Sequence, residues 1–109
     1  TQPIKGNLFE NMMVSECRKQ VYHSNNLNDI WFWRDSSGHE IDLLIQDGTG
    51  LNIVEFKAGQ TIMSDMFKGL TWFEKLSQES NLKKFLVYGG NDKQQRTQGT
   101  VMPWKEFCQ

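Results

Sequence analysis

The sequence predicts an α/β domain built on a single mixed β-sheet flanked by helices. Three observations carry this. An amphipathic helical stretch opens the chain, three short strand-like runs separated by tight turns follow it, and a helix-period stretch then separates the third of these runs from a fourth. The element order is helix, three strands, helix, strand. A strand–helix–strand step from Leu51 to Tyr88 requires a right-handed crossover, and therefore parallel pairing. The tight turns before it require antiparallel hairpins. The sheet is accordingly mixed.

Each element has its own signal. From Gly6 to about Val21 the apolar residues recur at helical spacing, with Asn7 as N-cap and Glu10 at the third helical position, a variant of the capping box. Ile30 to Arg34, Ile-Trp-Phe-Trp-Arg, is a short strand, and Asp35 to Gly38 a turn. His39 to Ile45 is a second strand, Asp47-Gly48-Thr49-Gly50 a four-residue turn, and Leu51 to Lys57 a third strand. Gly59 breaks the pattern, after which Ile62, Met66, Leu70, Phe73 and Leu76 recur at helical spacing. Phe85 to Tyr88 is a buried strand ending in the turn Gly89-Gly90. A polar loop rich in Gln and Lys follows. Gly99 to Met102 is a last short strand, and Pro103 opens a final helical turn.

Composition narrows the class. A chain of 109 residues holds one domain, and four Trp and seven Phe supply large side chains for its core. The net charge of −1 gives no bulk attraction to nucleic acid or anionic membrane, so any such contact needs a local basic patch. The two cysteines, Cys17 and Cys108, form neither a disulfide framework nor a zinc-type pair, which fits a reducing compartment and the cytoplasm. No apolar run approaches the roughly 20 residues of a membrane helix, and no signal peptide is visible. Because the chain starts at Thr1 and enters a helix almost at once, the expectation is one domain, residues 1–109, cut from a longer protein.

The hairpin arithmetic places the chemistry. If the second and third strands close over Asp47–Gly50, Gln46 faces Leu51, Leu44 faces Ile53, Asp42 faces Glu55 and Glu40 faces Lys57. Alternation puts Glu40, Asp42, Leu44, Ile53, Glu55 and Lys57 on one face, and leaves Ile41, Leu43, Ile45, Val54 and Phe56 for the core on the other. Two like charges about 5 Å apart repel by roughly 3 kcal/mol at an effective dielectric near 20. Such a pair calls for a cation, a shared proton or a bound metal. Lys57 is one cation, too few for the whole group. On a helical wheel Glu10 lies within the stripe of Met13, Val14, Cys17 and Val21, so it faces the sheet, while Glu16 sits at the edge of that arc.

An acid on the first helix, an Asp on the second strand and Glu-x-Lys on the third resemble the PD-(D/E)XK phosphodiesterase fold. More closely, Gly6-Asn7-Leu8-Phe9-Glu10-Asn11, Trp33-Arg34, Gly38-His39-Glu40-Ile41-Asp42 and Val54-Glu55-Phe56-Lys57-Ala58-Gly59 resemble the domain at the C-terminus of bacterial AAA-type ATPases. The likeness runs from about Gly6 to Leu70, and more loosely to the end. It implies a nuclease-like fold in which Asp42 and Glu55 ligate Mg2+ (or Mn2+) with the Phe56 backbone carbonyl beside them. Lys57 would then orient the attacking water or steady the developing charge, and Glu10 would hold a metal-bound water. The Pro that names the pattern is replaced by Ile41. No G-x-x-x-x-G-K-[ST] is present, so the ATP-binding part of such an ATPase would lie upstream, outside this chain.

Plainer readings stand beside these. The charged residues can form a solvated ladder with Glu40 pairing Lys57, or an inactive site kept for structure, and Glu10 can serve the helix N-terminus. Trp31, Trp33, Trp72 and Trp104 suit core or subunit contacts better than base stacking. Arg34 can reach a phosphate, or be an ordinary strand-end residue. His23 and His39 have no partner at ligand spacing. Lys83-Lys84, Lys93 and Arg96 can line DNA, or simply face water. The expectations are thus a magnesium-dependent nuclease, an inactive module binding DNA or the ATPase, or a homo-oligomerising domain joined through tryptophans.

Overall fold

The structure is a computed structural model, which describes residues 8, 10–17, 19–20, 29–34, 36, 39–48 and 50–107. Residues 10–17 are helical (α1). Strands β1 (Asp29–Arg34), β2 (Glu40–Asp47) and β3 (Gly50–Lys57) follow, then a 3-10 turn at Ser64–Phe67 that runs into α2 (Lys68–Ser77). The rest is β4 (Leu82–Tyr88), β5 (Gln94–Arg96), β6 (Gly99–Pro103) and α3 (Trp104–Phe107). The proposed N-cap Asn7 and helix end Val21, and the side chains of Trp31, Trp33 and Arg34, lie outside the described residues, as does His23.

Among the described residues the strands form one mixed sheet in the order β1-β2-β3-β4-β6-β5. The hairpins β1–β2 and β2–β3 are antiparallel, and β3–β4 is parallel across the α2 crossover. The expected α/β class and mixed sheet are therefore present. β4 and β6 are also parallel, and β5 pairs antiparallel with β6. β5 falls in the segment expected to be a polar loop. Its three residues Gln94, Gln95 and Arg96 are all exposed, so no apolar alternation marks them as a strand.

From Asp47 to Leu43 the β2–β3 register is the expected one, with Gln46 opposite Leu51, Ile45 opposite Asn52 and Leu44 opposite Ile53. The pairing stops at Leu43–Val54, so the expected Asp42–Glu55 and Glu40–Lys57 pairs are not part of it. The turn is shorter than expected. Asp47 also pairs with Gly50, leaving a two-residue loop at 48–49. Gly50 has φ 135°, and a Cβ there would collide with the backbone carbonyl oxygen of Asn81, which accepts the N–H of Leu51 at 3.1 Å. The left-handed backbone and the close approach both call for glycine.

Two apolar layers sandwich the sheet. On one side Leu44, Ile53 and Leu86 pack under Phe67, Leu70 and Phe73 of the 3-10 turn and α2. On the other, Leu43, Ile45, Val54, Phe56 and Val87 pack under Met13 and Cys17, one turn apart on α1, with Trp104 and Phe107 beside them. Each fully buried side chain of this size contributes about 1.5–3 kcal/mol by leaving water. Ile41 belongs to the α2 layer, not to the α1 layer that strict alternation assigns it. The cause is an irregularity in β1–β2 pairing between Trp31 and Trp33, where β2 carries one extra residue.

α2 stops where Gln78 takes the left-handed conformation (φ 55°) and returns its N–H to the Glu74 carbonyl. The apolar stripe outruns the packed surface there, since Leu76 is 53% exposed. Cys17 corrects another expectation: it is fully buried and disulfide-bonded, which withdraws the argument for a reducing compartment. Cysteines far apart in sequence carry no spacing signal for such a bond, and the chain's other cysteine, Cys108, lies outside the described residues. No helix among the described residues is long and apolar enough to cross a membrane.

Candidate active site

The site lies where β2 begins and β3 ends. The paired register runs from Asp47–Gly50 to Leu43–Val54. One step beyond it, carboxylates take over the cross-strand hydrogen bonding. The N–H of Asp42 donates to Glu55 Oε1 at 3.1 Å, and the N–H of Phe56 donates to Asp42 Oδ2 at 2.8 Å. Each acid thus binds the backbone of the opposite strand, and the two carboxyl groups are also hydrogen-bonded to one another.

Burial sets their electrostatics. Glu55 is 7% exposed and is the one charged-type residue in the described interior. Desolvation first, then the neighbouring Asp42 charge, push its carboxyl up to about 8, against the opposing pull of Lys57. Asp42 is also raised, mainly by desolvation and partly by Glu40, while the Phe56 N–H and Lys57 oppose the rise. Such a pair titrates as a unit that holds a proton at neutral pH, with Glu55 as its main site. Lys57 alone does not neutralise it.

Helix α1 contributes Glu10 from a direction that corrects the sequence reading. α1 covers the Leu43–Phe56 layer, whereas the helix against Glu55 is α2. A Cβ built on Gly69 of α2 would stand 3.6 Å from Glu55 Oε2 and 3.0 Å from the carbonyl oxygen of Glu40. Glu10 comes in from the α1 side, where its Oε2 accepts the N–H of Ala58 at 3.1 Å. Its carboxyl is raised by partial burial, offset first by that bond and then by Lys57. Glu10, Asp42 and Glu55 therefore share the field of one lysine. Glu40 is exposed at the rim, and Glu16 is exposed on α1.

Gly69 and His39 gave no chemical signal in the sequence. Gly69 lets α2 come close to the Glu40 carbonyl beside Glu55, and a glycine inside a helical stripe was the available hint. His39 stacks flat on Trp72, with ring centroids 4.1 Å apart and planes 1° from parallel, and this ties the start of β2 to α2. Of the basic residues, Lys84 pairs with Glu74 at 2.9 Å and also binds the Thr97 carbonyl. Lys93 lies 3.9 Å from Glu106, and the Arg96 guanidinium binds Gln94 and lies over Phe67.

A family model described as a domain of unknown function (DUF4143) matches residues 5–107, nearly the whole chain. The chain belongs to that family. No curated protein matches it. The matched region spans both helices and all the strands that frame the acids, so the site lies wholly inside the family domain.

Among the described residues no group of three or more His, Cys, Asp or Glu side chains is arranged to hold a metal ion. The donor set has two carboxylates at its centre, Asp42 and Glu55, with Glu10 set apart on the Ala58 amide. Two hard oxygen donors suit magnesium, which keeps several waters and commonly takes only one or two carboxylates. Their shared difficulty in ionising is the electrostatic demand that a divalent cation meets.

Proposed function

We propose that this domain is a metal-dependent nuclease-like module of the PD-(D/E)XK type, with Asp42 and Glu55 holding Mg2+ or Mn2+ and Lys57 beside them, acting on nucleic-acid phosphodiesters. The observation that carries the reading is the pair itself: two hydrogen-bonded carboxyl groups at the splayed end of a hairpin, both resisting ionisation, with Lys57 two residues after Glu55 acting on both. The αβββαβ order of the core supports it further.

Asp42 and Glu55 would hold the cation, with the Phe56 carbonyl as an added oxygen donor. The cation, when bound, polarises a phosphoryl oxygen and makes a water more acidic. Lys57 places a positive charge where negative charge develops on phosphate, and can orient the attacking water. Glu10, held by the Ala58 N–H, stands on the α1 side of the same lysine and can accept a proton from a water there. The site backs onto α2 through Gly69, so substrate approaches from outside the packed helix.

A second reading has its own observation. All three acids are engaged by backbone N–H groups, and those bonds hold the strand ends together whether or not a cation is present. The same fold could then serve as an inactive module, docking DNA or an upstream AAA-type ATPase domain. Calorimetric titration of Mg2+ and Mn2+ into wild type and Glu55→Gln separates the two when combined with oligonucleotide cleavage. The enzymatic reading requires metal binding in wild type alone and cleavage lost in Asp42→Ala and Lys57→Ala. Cleavage that survives in both variants would end it. Metal-independent DNA binding with no cleavage by any divalent ion would establish the module.

A further inference from the structure

We infer that the outer side of α2 carries the nucleic-acid strand, through a groove in which Lys68 and Lys75 meet its phosphates. The inference rests on the reading of the acids as a phosphodiester site, and adds the surface that would deliver the strand to them. The groove has a volume of about 380 Å³ and is lined by Phe67, Lys68, Thr71, Trp72 and Lys75, with Gln98 opposite. Its lining contains no acidic residue. In a chain of net charge −1, this is a local concentration of positive charge.

Pairing removes some basic residues, and of the described lysines left without an ion pair Lys68 and Lys75 line this groove. Lys84 and Lys93 are engaged by Glu74 and Glu106, and Arg96 by Gln94. No ion pair among the described residues engages Lys68 or Lys75, and both are exposed. These two stand seven residues apart, about 10.5 Å along the helix, close enough for both to meet phosphates of one strand. The hydroxyl of Thr71 and the amide of Gln98 add neutral donors suited to phosphate oxygens.

The groove and the acids share helix α2. Around the axis of α2, Trp72, Lys68 and Lys75 all fall to one side of Gly69, at about 60–120°. Gly69 is the point at which α2 comes against Glu55 on its sheet-facing side, while Lys68 and Lys75 stand on its exposed side. The flat stack of Trp72 on His39 joins the groove wall to the residue before β2. A strand lying on the lysines is thus held by the same helix that covers the acids.

The test uses the 109-residue chain and a fluorescein-labelled oligonucleotide, single-stranded and duplex, with anisotropy read in EDTA across a salt series. The Lys68→Gln/Lys75→Gln double variant is expected to bind more weakly, and its slope of log K against log salt to shrink by about 1.4 on a single strand or 1.8 on a duplex. The control Lys105→Gln, on α3, should match wild type. Equal affinity and slope for the double variant and wild type, or no binding of either oligonucleotide by wild type, overturns the inference. Cleavage of the same oligonucleotides with Mn2+ keeps the two claims apart. Cleavage abolished in Asp42→Asn, with groove variants that bind as wild type, leaves the acid site standing and removes the groove. Binding lost in the double variant, with no cleavage by wild type, does the reverse.

Discussion

Glu55→Gln keeps the shape of a protonated glutamic acid and removes the possibility of ionising it, so it isolates what the buried charge does to folding. The Gln oxygen can still accept the N–H of Asp42, and its amide can donate to the Asp42 carboxylate. In wild type the folded carboxyl binds its proton up to about pH 8, against an ordinary value of 4.5. A carboxyl raised in this way contributes stability that is complete below pH 4.5, declines as pH rises and is gone above pH 8. One proton corresponds to about 1.4 kcal/mol per pH unit, so wild type should lose a few kcal/mol between pH 5 and 8. Asp42 and Glu10 are raised as well and act in the same direction. Urea unfolding in EDTA at a series of pH values reads the effect. Glu55→Gln should show a much flatter dependence and exceed wild type at pH 8. Parallel curves for the two proteins, or a wild type that gains stability as pH rises through this window, would refute the argument that Glu55 is held protonated by burial and by Asp42.

Three further outcomes follow from the same geometry. Saturating Mg2+ or Mn2+ should raise the thermal midpoint of wild type at pH 8, by about 2.7 kcal/mol of stability at a hundred times Kd, and leave Glu55→Gln unmoved; equal shifts in both would place the ion elsewhere. Gly69→Ala, which in an ordinary helix interior stabilises by about 0.5–1 kcal/mol, should instead cost about 1 kcal/mol in urea unfolding, because its methyl would press on the Glu40 carbonyl at 3.0 Å. Leu86→Ala, in the fully buried middle of the α2 layer, should cost about 2–5 kcal/mol by the same measurement.

What was legible in the sequence follows from periodicity. A hairpin has a two-residue repeat and a short turn, so its register can be counted, and the counted register of β2 and β3 is the one found as far as Leu43 and Val54, one step short of Asp42 and Glu55. That count leads to Asp42 and Glu55. Amphipathicity, by contrast, shows that a helix has an inner face but not which side of the sheet receives it. Glu10 therefore pointed to the sheet correctly in kind, while the helix lying on Glu55 is α2. The position of Ile41 depended on an irregularity in the β1–β2 pairing, which no pattern within β2 encodes. β5 escaped notice because a strand with every residue exposed carries no alternation, and its pairing to β6 comes from a Thr97-Gln98 turn and Gly99. The bonding state of Cys17 has no spacing signal in the sequence.

The polar strand β5 has a consequence for self-association. It occupies one margin of the sheet with only three residues, and a long, flat, apolar margin is what templates stacking of one sheet onto another. Glutamine and arginine there, with Gln94 already folded onto the Arg96 guanidinium, make a poor zipper for a second chain. The protein's exposed border is thus blunted against runaway fibre growth at that end, even though parallel β3, β4 and β6 lie just inside it.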